Sequence, residues 1–313
     1  NFFRDVNPLG FILFRRNVED PAQVRALVRD LRDSVGRHAP ILIDQEGGRV
    51  ARLRGPHWPE LPAARAVGDL PDLEKATQAA WLHGRLLAAM LADLGIDVDC
   101  APVADVPVPG AHDVIGDRAF AMDPDKVARL AGAQAAGLLA GGVLPIVKHI
   151  PGHGRAFADS HKELPVVGAM RADLEAWDFA PFKALAHLPA AMVAHVVYTD
   201  IDSTRPASVS PTVITSIVRG HIGFDGVLFS DDLSMQALTG TLGQRTAAVL
   251  AAGCDVALHC NGRMDEMRDV VANARALDTD GQRRWSAAAG LVTAVPPTDI
   301  DALHAEFGRL LAG

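Results

Sequence analysis

The sequence predicts an α/β fold of the (β/α)8 TIM-barrel type, in one domain that spans residues 1–313. Short apolar runs rich in β-branched residues alternate with helical patterns, which is typical of parallel strands joined by crossover helices. A glycine-rich phosphate turn after the first strand, the usual mark of an open doubly wound sheet, does not occur. No repeat, low-complexity tract or long polar linker divides the chain. A closed barrel is therefore favoured over an open sheet.

Seven apolar runs are predicted as strands, at residues 11–14, 41–44, 96–102, 143–149, 190–197, 226–230 and 254–259. A barrel of this class has eight strands. We therefore expect the opening strand to be missing from this chain, with residues 1–6 forming the end of the helix that follows it.

Helices are predicted between these strands, at residues 21–34, 72–94, 124–140, 171–186, 211–219 and 245–252, with a last outer helix at 299–311. Their boundaries come from capping residues. Asp20 and Asp123 each precede a proline, and an acidic N-cap followed by proline is a helix start signal. Gly95 and Gly253 follow the last helical residues, as C-terminal glycines do.

The composition predicts a globular chain with a large core, because 49% of the residues are hydrophobic and 22% are charged. Thirty basic and 38 acidic residues give a formal charge of −8, which repels phosphate backbones and anionic lipid. We expect no nucleic-acid or membrane partner, and a monomer or weak dimer. Three cysteines are too few for a disulfide framework, and no leader pattern opens the chain, so we expect a cytoplasmic protein.

Ionisable residues end five of the predicted strands: Asp44, Lys148 with His149, His195, Asp231 and His259. In a βα barrel the loops after the strands form the mouth, where catalytic groups project. Any one of these residues is equally well explained as a salt-bridged or hydrogen-bonded strand end. Five on one face together predict an active site.

The densest polar stretch, KHIPGHGRAFADSHKEL, runs from Lys148 to Leu164. Its three histidines, His149, His153 and His161, suggest a metal site, but a proline and a glycine between the first two favour an irregular loop over a helical zinc motif. Asp159 stands two residues from His161, where a carboxylate can fix the tautomer of a general acid/base imidazole. Glycines at 152 and 154 predict that this loop is mobile.

Two further stretches place carboxylates at the mouth. In FSDDLSM, Asp231 is the first residue past its strand, whereas Asp232 is expected to begin the next helix. In IDQEGGRVAR, Asp44 leaves its strand, two glycines make a turn, and Arg49 and Arg52 return toward the site. A carboxylate beside an arginine suits bidentate recognition of sugar hydroxyls.

These motifs resemble the family 3 glycoside hydrolases, and in particular the single-domain bacterial β-N-acetylhexosaminidases of peptidoglycan recycling. The resemblance is carried by IDQEGGRVARL, by KHIPGHG with the following DSH, by FSDDLSM and by IGDRAF, and it spans nearly the whole chain. It implies a single (β/α)8 barrel that removes terminal N-acetylglucosamine with retention of configuration and without metal or cofactor. The departures from the family pattern are Ile150, which stands where an aromatic residue is frequent, and the absent opening strand.

The resemblance also implies a role for each matching residue. Asp231 falls on the family's nucleophile, His161 on its acid/base histidine, and Asp159 on the carboxylate that orients this histidine. The implied sugar contacts are Asp44, Arg52, Arg118, Lys148 and His149. The implied substrate is a muropeptide fragment, N-acetylglucosaminyl-anhydro-N-acetylmuramic acid.

Three alternatives stay open from the sequence. The first is β-glucosidase specificity, or phosphorolysis in place of hydrolysis, within the same family. The second is a metal-dependent barrel hydrolase that uses His149, His153 and His161. The third is a sugar-binding protein without chemistry, which a retained nucleophile and acid/base pair argue against.

Overall fold

The strands of this protein form the parallel sheet of a TIM-type barrel. The computed structural model describes residues 2–293, 295 and 299–312. Its strands are β1 (Phe11–Leu13), β2 (Ile41–Ile43), β3 (Val98–Asp99), β4 (Leu144–Pro145), β5 (Val147–Ile150), β6 (Val166–Val167), β7 (Ala190–Val193), β8 (Val197–Tyr198), β9 (Val227–Asp232) and β10 (Val256–Leu258). One residue separates β4 from β5, so the pairings join into the order β1, β2, β3, β4/β5, β7, β9, β10. The short β6 and β8 form a separate parallel pair.

Helices follow the strands and cover the outside of the sheet. They are α1 (Phe2–Val6), α2 (Pro21–Val35), α3 (Ala64–Gly68), α4 (Leu73–Ala92), α5 (Pro124–Ala140), α6 (Arg171–Ala176), α7 (Ala180–Ala184), α8 (Leu242–Ala252), α9 (Met264–Asn273), α10 (Thr279–Ala289) and α11 (Ile300–Leu311). Short 3-10 helices cover Arg15–Asn17, Gly116–Arg118 and Ala207–Val209, and a π-helix covers Val213–His221. None of the described helices is both long and apolar enough to cross a membrane.

The sheet curls around a central apolar core. Buried and partly buried side chains from all seven main strand positions form one cluster, which includes Ile12, Leu42, Val98, Leu144, Met192, Phe229 and Leu258. Because the first and last strands of the order share this cluster, the sheet is bent into a barrel wall. A larger cluster fills the layer between the sheet and the helices.

The two edge strands, β1 and β10, are not paired with each other in the described part of the chain. An apolar cavity of about 420 Å³ lies at this edge, with Phe11, Leu13, Val256 and Ala257 in its lining. The seven strand positions and this gap agree with the seven runs that the sequence predicts.

Capping residues begin α2 and α5 and end α8 where the sequence predicts them, whereas α4 ends at Ala92, before the predicted Gly95, and α8 begins at Leu242, before the predicted residue 245. The carboxylate of Asp20 accepts a hydrogen bond from the Gln23 amide at 2.9 Å, and that of Asp123 from the Lys126 amide at 2.8 Å. Gly253 ends α8 with a φ of 114°, a left-handed conformation that glycine adopts without strain.

The helix predicted at residues 171–186 is wrong, because the structure breaks it into α6 and α7. Pro181 lacks the amide hydrogen that a continuous helix needs, and it stands in the first turn of α7 instead. The helix predicted at 211–219 is a π-helix over Val213–His221, and α3, α9 and α10 were not predicted.

Helices α4 and α5 approach each other closely through two glycines. A Cβ on Gly137 would lie 2.2 Å from the Trp81 carbonyl oxygen, and one on Gly84 would lie 2.2 Å from the Gln134 carbonyl oxygen. Both positions therefore need glycine for contact between backbones.

We predict that Gly137→Ala lowers the free energy of unfolding. Overpacking costs about 1–3 kcal/mol, and this exceeds the roughly 0.5–1 kcal/mol that alanine gains over glycine inside a helix. A Cβ on Gly308 in α11 would have no neighbouring atom within 4 Å, so Gly308→Ala should be stabilising. Urea denaturation of both variants measures the two effects, and equal signs would contradict the packing argument.

Candidate active site

One pocket of about 240 Å³ opens where the main strands end. Its polar lining comes from the ends of strands β5 and β9 and from loops after several strands: Asp44, Glu46, Arg52, Arg118, Lys148, His149, His153, Ser160, His161, Asp231 and Asp232. The structure thus brings Asp231 and His161 to one cavity, together with the five expected sugar contacts. Asp159 joins them through a hydrogen bond to His161.

Lys148, on β5, is the centre of a buried charge network. Its side chain is 3% exposed, and its Nζ lies 2.8 Å from Oδ1 of Asp44 and 2.6 Å from Oε1 of Glu46. Burial alone would lower the pKa of Lys148, but the two carboxylates raise it above its usual range. Lys148 is therefore a fixed cation with two carboxylate partners.

Two arginines extend this network to either side. Arg52 Nη2 lies 2.9 Å from Asp44, and Arg118 binds Glu46 through two nitrogens, at 2.8 and 2.9 Å. Burial opposes ionisation of Glu46, but Arg118 and Lys148 lower its pKa to about 2. Charges of opposite sign therefore alternate along the pocket wall, where a sugar can receive hydrogen bonds from the cations and donate to the carboxylates.

The turn after β2 is held in shape by Gln45. The Gln45 side-chain oxygen accepts from the amides of Arg52 and Leu53, at 2.8 and 3.0 Å, and its nitrogen donates to the Leu53 carbonyl. The turn therefore brings Arg52 into the pocket, as predicted. Arg49 was also predicted to return toward the site, but its guanidinium forms ion pairs with Asp113 and Asp117 outside the pocket.

Asp231 lies near the end of β9, in the pocket. Burial would raise the pKa of this carboxyl, but the neighbouring His149 and His195 and the amide of Asp232 hold it below its usual value. Asp231 is therefore an ionised carboxylate at neutral pH. The sequence predicted that Asp232 begins a helix, and this is wrong, because Asp232 is still in β9. Its side chain accepts hydrogen bonds from the amides of Ser234 and Cys260.

His149 is fixed by the buried Asp105. Its Nδ1 lies 2.6 Å from Oδ2 of Asp105, whose pKa is lowered by His149 despite its burial. An ionised carboxylate only accepts, so Nδ1 carries the proton and Nε2 is the ring nitrogen left for a ligand.

The Asp159 and His161 side chains form a dyad. Oδ1 of Asp159 accepts from Nδ1 of His161 at 2.9 Å and from its amide at 3.0 Å. Burial acts against ionisation, but these two hydrogen bonds lower the pKa of Asp159. The imidazole is thus oriented with Nε2 away from Asp159. Its side chain is 65% exposed, so it reaches both the pocket and solvent.

Gly152 and Gly154, from which the sequence predicted a mobile loop, are required for close packing. A Cβ on Gly154 would lie 2.2 Å from the Val106 carbonyl oxygen, and one on Gly152 would lie 3.0 Å from the Asp178 carbonyl oxygen. Tyr198 also donates a hydrogen bond to the Gly152 carbonyl. This end of the loop is therefore fixed.

The remaining strand-end histidines have structural partners. His195 is buried, with Nδ1 on the Ser208 hydroxyl and Nε2 on the Asp232 carbonyl. His259 lies against Glu266, with 2.8 Å between Nε2 and the carboxylate. Among the described residues, no group of three or more His, Cys, Asp or Glu side chains is arranged to hold a metal ion. Within the described part of the chain, His149, His153 and His161 are thus not arranged as a set of metal ligands.

Three residues of the site have no role assigned from the sequence: Glu46, Ser160 and, beyond the metal alternative, His153. Glu46 stands two positions after Asp44, a spacing that follows an extended chain onto the same face. That spacing is the signal that could have found it. Ser160 carries no comparable signal.

A barrel whose pocket holds an ionised carboxylate, an Asp–His dyad and side chains of alternating charge is typical of a glycoside hydrolase. Residues 5–289 match the Glycosyl hydrolase family 3 N terminal domain. The chain belongs to glycosyl hydrolase family 3.

Relatives within that family are named as β-hexosaminidases. The chain is 44% identical over 258 residues to a β-hexosaminidase of Bordetella avium, covering 80% of this chain and 73% of that protein. It is 43% identical over 258 residues to one of Pseudomonas aeruginosa, covering 81% and 75%. A crystal structure of NagZ from Neisseria gonorrhoeae with N-trifluoroacetyl-D-glucosamine superposes with a TM-score of 0.85 at 38% identity, covering 97% of this chain and 91% of that one.

We predict that Glu46→Gln lowers the free energy of unfolding at pH 7 by about 3 kcal/mol, because removing one partner of a buried ion pair leaves cations uncompensated. Folding lowers the pKa of Glu46 from 4.5 to about 2. Its contribution is therefore complete above pH about 4.5 and is lost as the pH falls toward 2. Denaturation curves across this range should show the variant and the parent converging.

Glu175→Gln is the control for this measurement. Glu175 forms an ion pair within α6 with Arg171, which is 48% exposed, and such surface pairs contribute less than about 1 kcal/mol. A Glu46→Gln effect no larger than that of Glu175→Gln, or one independent of pH, would refute the buried-network account.

Proposed function

We propose that this protein is a retaining exo-β-N-acetylglucosaminidase that releases terminal N-acetylglucosamine from muropeptide fragments. The observation that carries this proposal is the shared pocket: the Asp231 carboxylate and the Asp159–His161 dyad open onto the same cavity. A nucleophile and an acid/base group on one bound sugar are what double displacement requires.

The first half of the reaction forms a glycosyl-enzyme. An oxygen of Asp231 bonds to the anomeric carbon while Nε2–H of protonated His161 donates its proton to the glycosidic oxygen, and the bond from the anomeric carbon to that oxygen breaks. Asp159 holds the Nδ1 proton of His161 throughout, so the ring exchanges protons only at Nε2. The anionic Asp159 also stabilises the imidazolium form.

The second half releases the sugar. A water molecule gives a proton to Nε2 of His161 as its oxygen attacks the anomeric carbon, and the bond to Asp231 breaks. The sugar leaves with its original configuration after two inversions. The enzyme returns to its starting charges, with Asp231 ionised and His161 protonated.

The pocket's size and its relatives support the substrate. At about 240 Å³ it is smaller than the roughly 300–1,000 Å³ of typical ligand sites, which suits one terminal sugar rather than an internal stretch of chain. The neighbouring NagZ structure holds an N-acylated glucosamine, which supports the same sugar class here. The three free cysteines are buried, and free thiols agree with the cytoplasmic location that we propose.

Asp231→Ala should abolish turnover of an aryl β-N-acetylglucosaminide, because the variant lacks the carboxylate that bonds to the anomeric carbon. Intact-mass analysis with a 5-fluoro N-acetylglucosaminyl donor should show one adduct on the parent and none on the variant. Asp30→Ala, on the exposed face of α2, is the control for expression and purification of a variant, and it should keep the parent's activity. Full activity in Asp231→Ala would end the assignment.

Asp159→Ala should lower kcat by about 100-fold and leave KM nearly unchanged. The variant keeps the imidazole but loses its orientation, and positioned proton transfer contributes roughly 10²- to 10⁴-fold. Steady-state kinetics of both variants should show a smaller loss of kcat in Asp159→Ala than in His161→Ala. Equal activity of Asp159→Ala and the parent would show that the dyad hydrogen bond has no catalytic role.

A further inference from the structure

The dyad is carried by residues 157–164, which we call the dyad loop. Most of this loop faces solvent: Phe157 is 64% exposed, and the side chains of His161 and Lys162 are 65% and 79% exposed. Ser160, between the two dyad residues, is the exception at 2% exposed. Exposed segments with few contacts open at low free-energy cost, so the loop needs a specific anchor to hold His161 in place.

Both ends of the dyad loop are fixed by the residues next to it. On one side, the Ala156 carbonyl accepts from the His112 amide at 2.9 Å, and Arg155 pairs with Asp178 at 2.9 Å. On the other side, the Pro165 carbonyl accepts from the Val197 amide at 3.0 Å. Between these points, the chain is free to move unless something inside the loop holds it.

Ser160 anchors the middle of the dyad loop. Its hydroxyl lies 3.0 Å from Nε2 of His153, and its carbonyl accepts from the Ala237 amide at 3.3 Å. Across the described residues, these are the hydrogen bonds that join residues 157–164 to the rest of the protein. The backbone bond is long, so the serine–histidine bond is the shorter and more buried of the two.

His153 is a rigid partner for this serine. It is 2% exposed, its amide donates to Asp105 at 2.7 Å, and its ring packs edge-on against His149 with 5.7 Å between centroids. Nδ1 of His153 has no hydrogen-bond partner among the described residues. Within that part of the chain, the contact with Ser160 is thus the one hydrogen bond of a buried ring, and Asp105 connects it to sugar-contact His149.

We infer that His153 is a positioning residue, whose hydrogen bond to Ser160 seats the dyad loop and places His161 for proton transfer. This inference rests on the proposed acid/base role of His161. Burial lowers the pKa of His153 to about 4, so the ring is neutral at pH 7 and does not itself compete for the reaction's proton.

The first test follows the loop without using activity. Hydrogen–deuterium exchange of residues 157–164 should be roughly 2- to 10-fold faster in Ser160→Ala than in the parent, the factor expected for one net hydrogen bond. Ser160→Thr keeps the hydroxyl and should restore slow exchange. Unchanged exchange in Ser160→Ala would overturn the inference.

The second test asks whether the anchor serves proton donation. With a poor leaving group, such as the 4-methylphenyl N-acetylglucosaminide, kcat/KM of Ser160→Ala should fall about 10-fold, because a misplaced acid cannot protonate the departing oxygen. With the 2,4-dinitrophenyl N-acetylglucosaminide, whose leaving group departs without protonation, the loss of kcat/KM should stay below about 2-fold. His153→Leu should reproduce this selectivity, and His153→Gln, whose amide can take the place of Nε2, should recover part of the loss.

Ser210→Ala is the control. It removes an equally buried serine hydroxyl, which donates to Asp202 at 2.6 Å and lies outside both the dyad loop and the pocket. The ratio between the two substrates should not change in this variant. Equal losses on both substrates in Ser160→Ala would refute a positioning role. If the parent cleaves neither aryl substrate, the proposed function fails, and the exchange measurement still decides whether His153 anchors the loop.

Discussion

The site depends on the burial of one ammonium group, that of Lys148, between two carboxylates. A lone buried charge would cost many kcal/mol, and each member of the set from Arg52 through Asp44, Lys148 and Glu46 to Arg118 has an opposite charge within 2.9 Å. These residues come from the loop after β2, from the 3-10 helix after β3 and from β5. The pocket wall is therefore complete only when the three segments are assembled, so the barrel fold and the sugar recognition that we propose depend on the same ion pairs.

The two groups that we propose as nucleophile and acid/base are supported in different ways. Asp231 extends a strand, and its ionised state is maintained by neighbouring histidines that are themselves fixed, His149 by Asp105 and His195 by Ser208. His161 lies on a mostly exposed loop with one buried residue. A nucleophile must approach the anomeric carbon from one direction, and a residue at a strand end is held in one orientation. An acid/base group must act first on the leaving group and then on water, so contact with solvent serves it.

The sequence predicts what depends on local pattern and fails where partners are distant. The ends of the predicted strands identified Asp44, Lys148 and Asp231 as site residues, because parallel strands of a barrel present their carboxyl ends on one face. Glu46 does not end a strand, and its ion pair with Lys148 was missed because Lys148 lies on a strand far along the chain. Gly154 was interpreted as a hinge, but its role comes from the Val106 carbonyl, a contact that no local pattern contains.

In the mechanism that we propose, the choice of histidine over a carboxylic acid follows from where the acid/base group lies. A carboxyl group protonates a leaving oxygen at neutral pH only if burial or a like charge raises its pKa. The dyad loop offers neither, because the His161 side chain is 65% exposed and a lysine follows it. Histidine titrates near neutral pH without such help. An imidazole oriented by Asp159 therefore lets the proton-transfer group be placed on an exposed loop, where a carboxylic acid would stay ionised and could not donate.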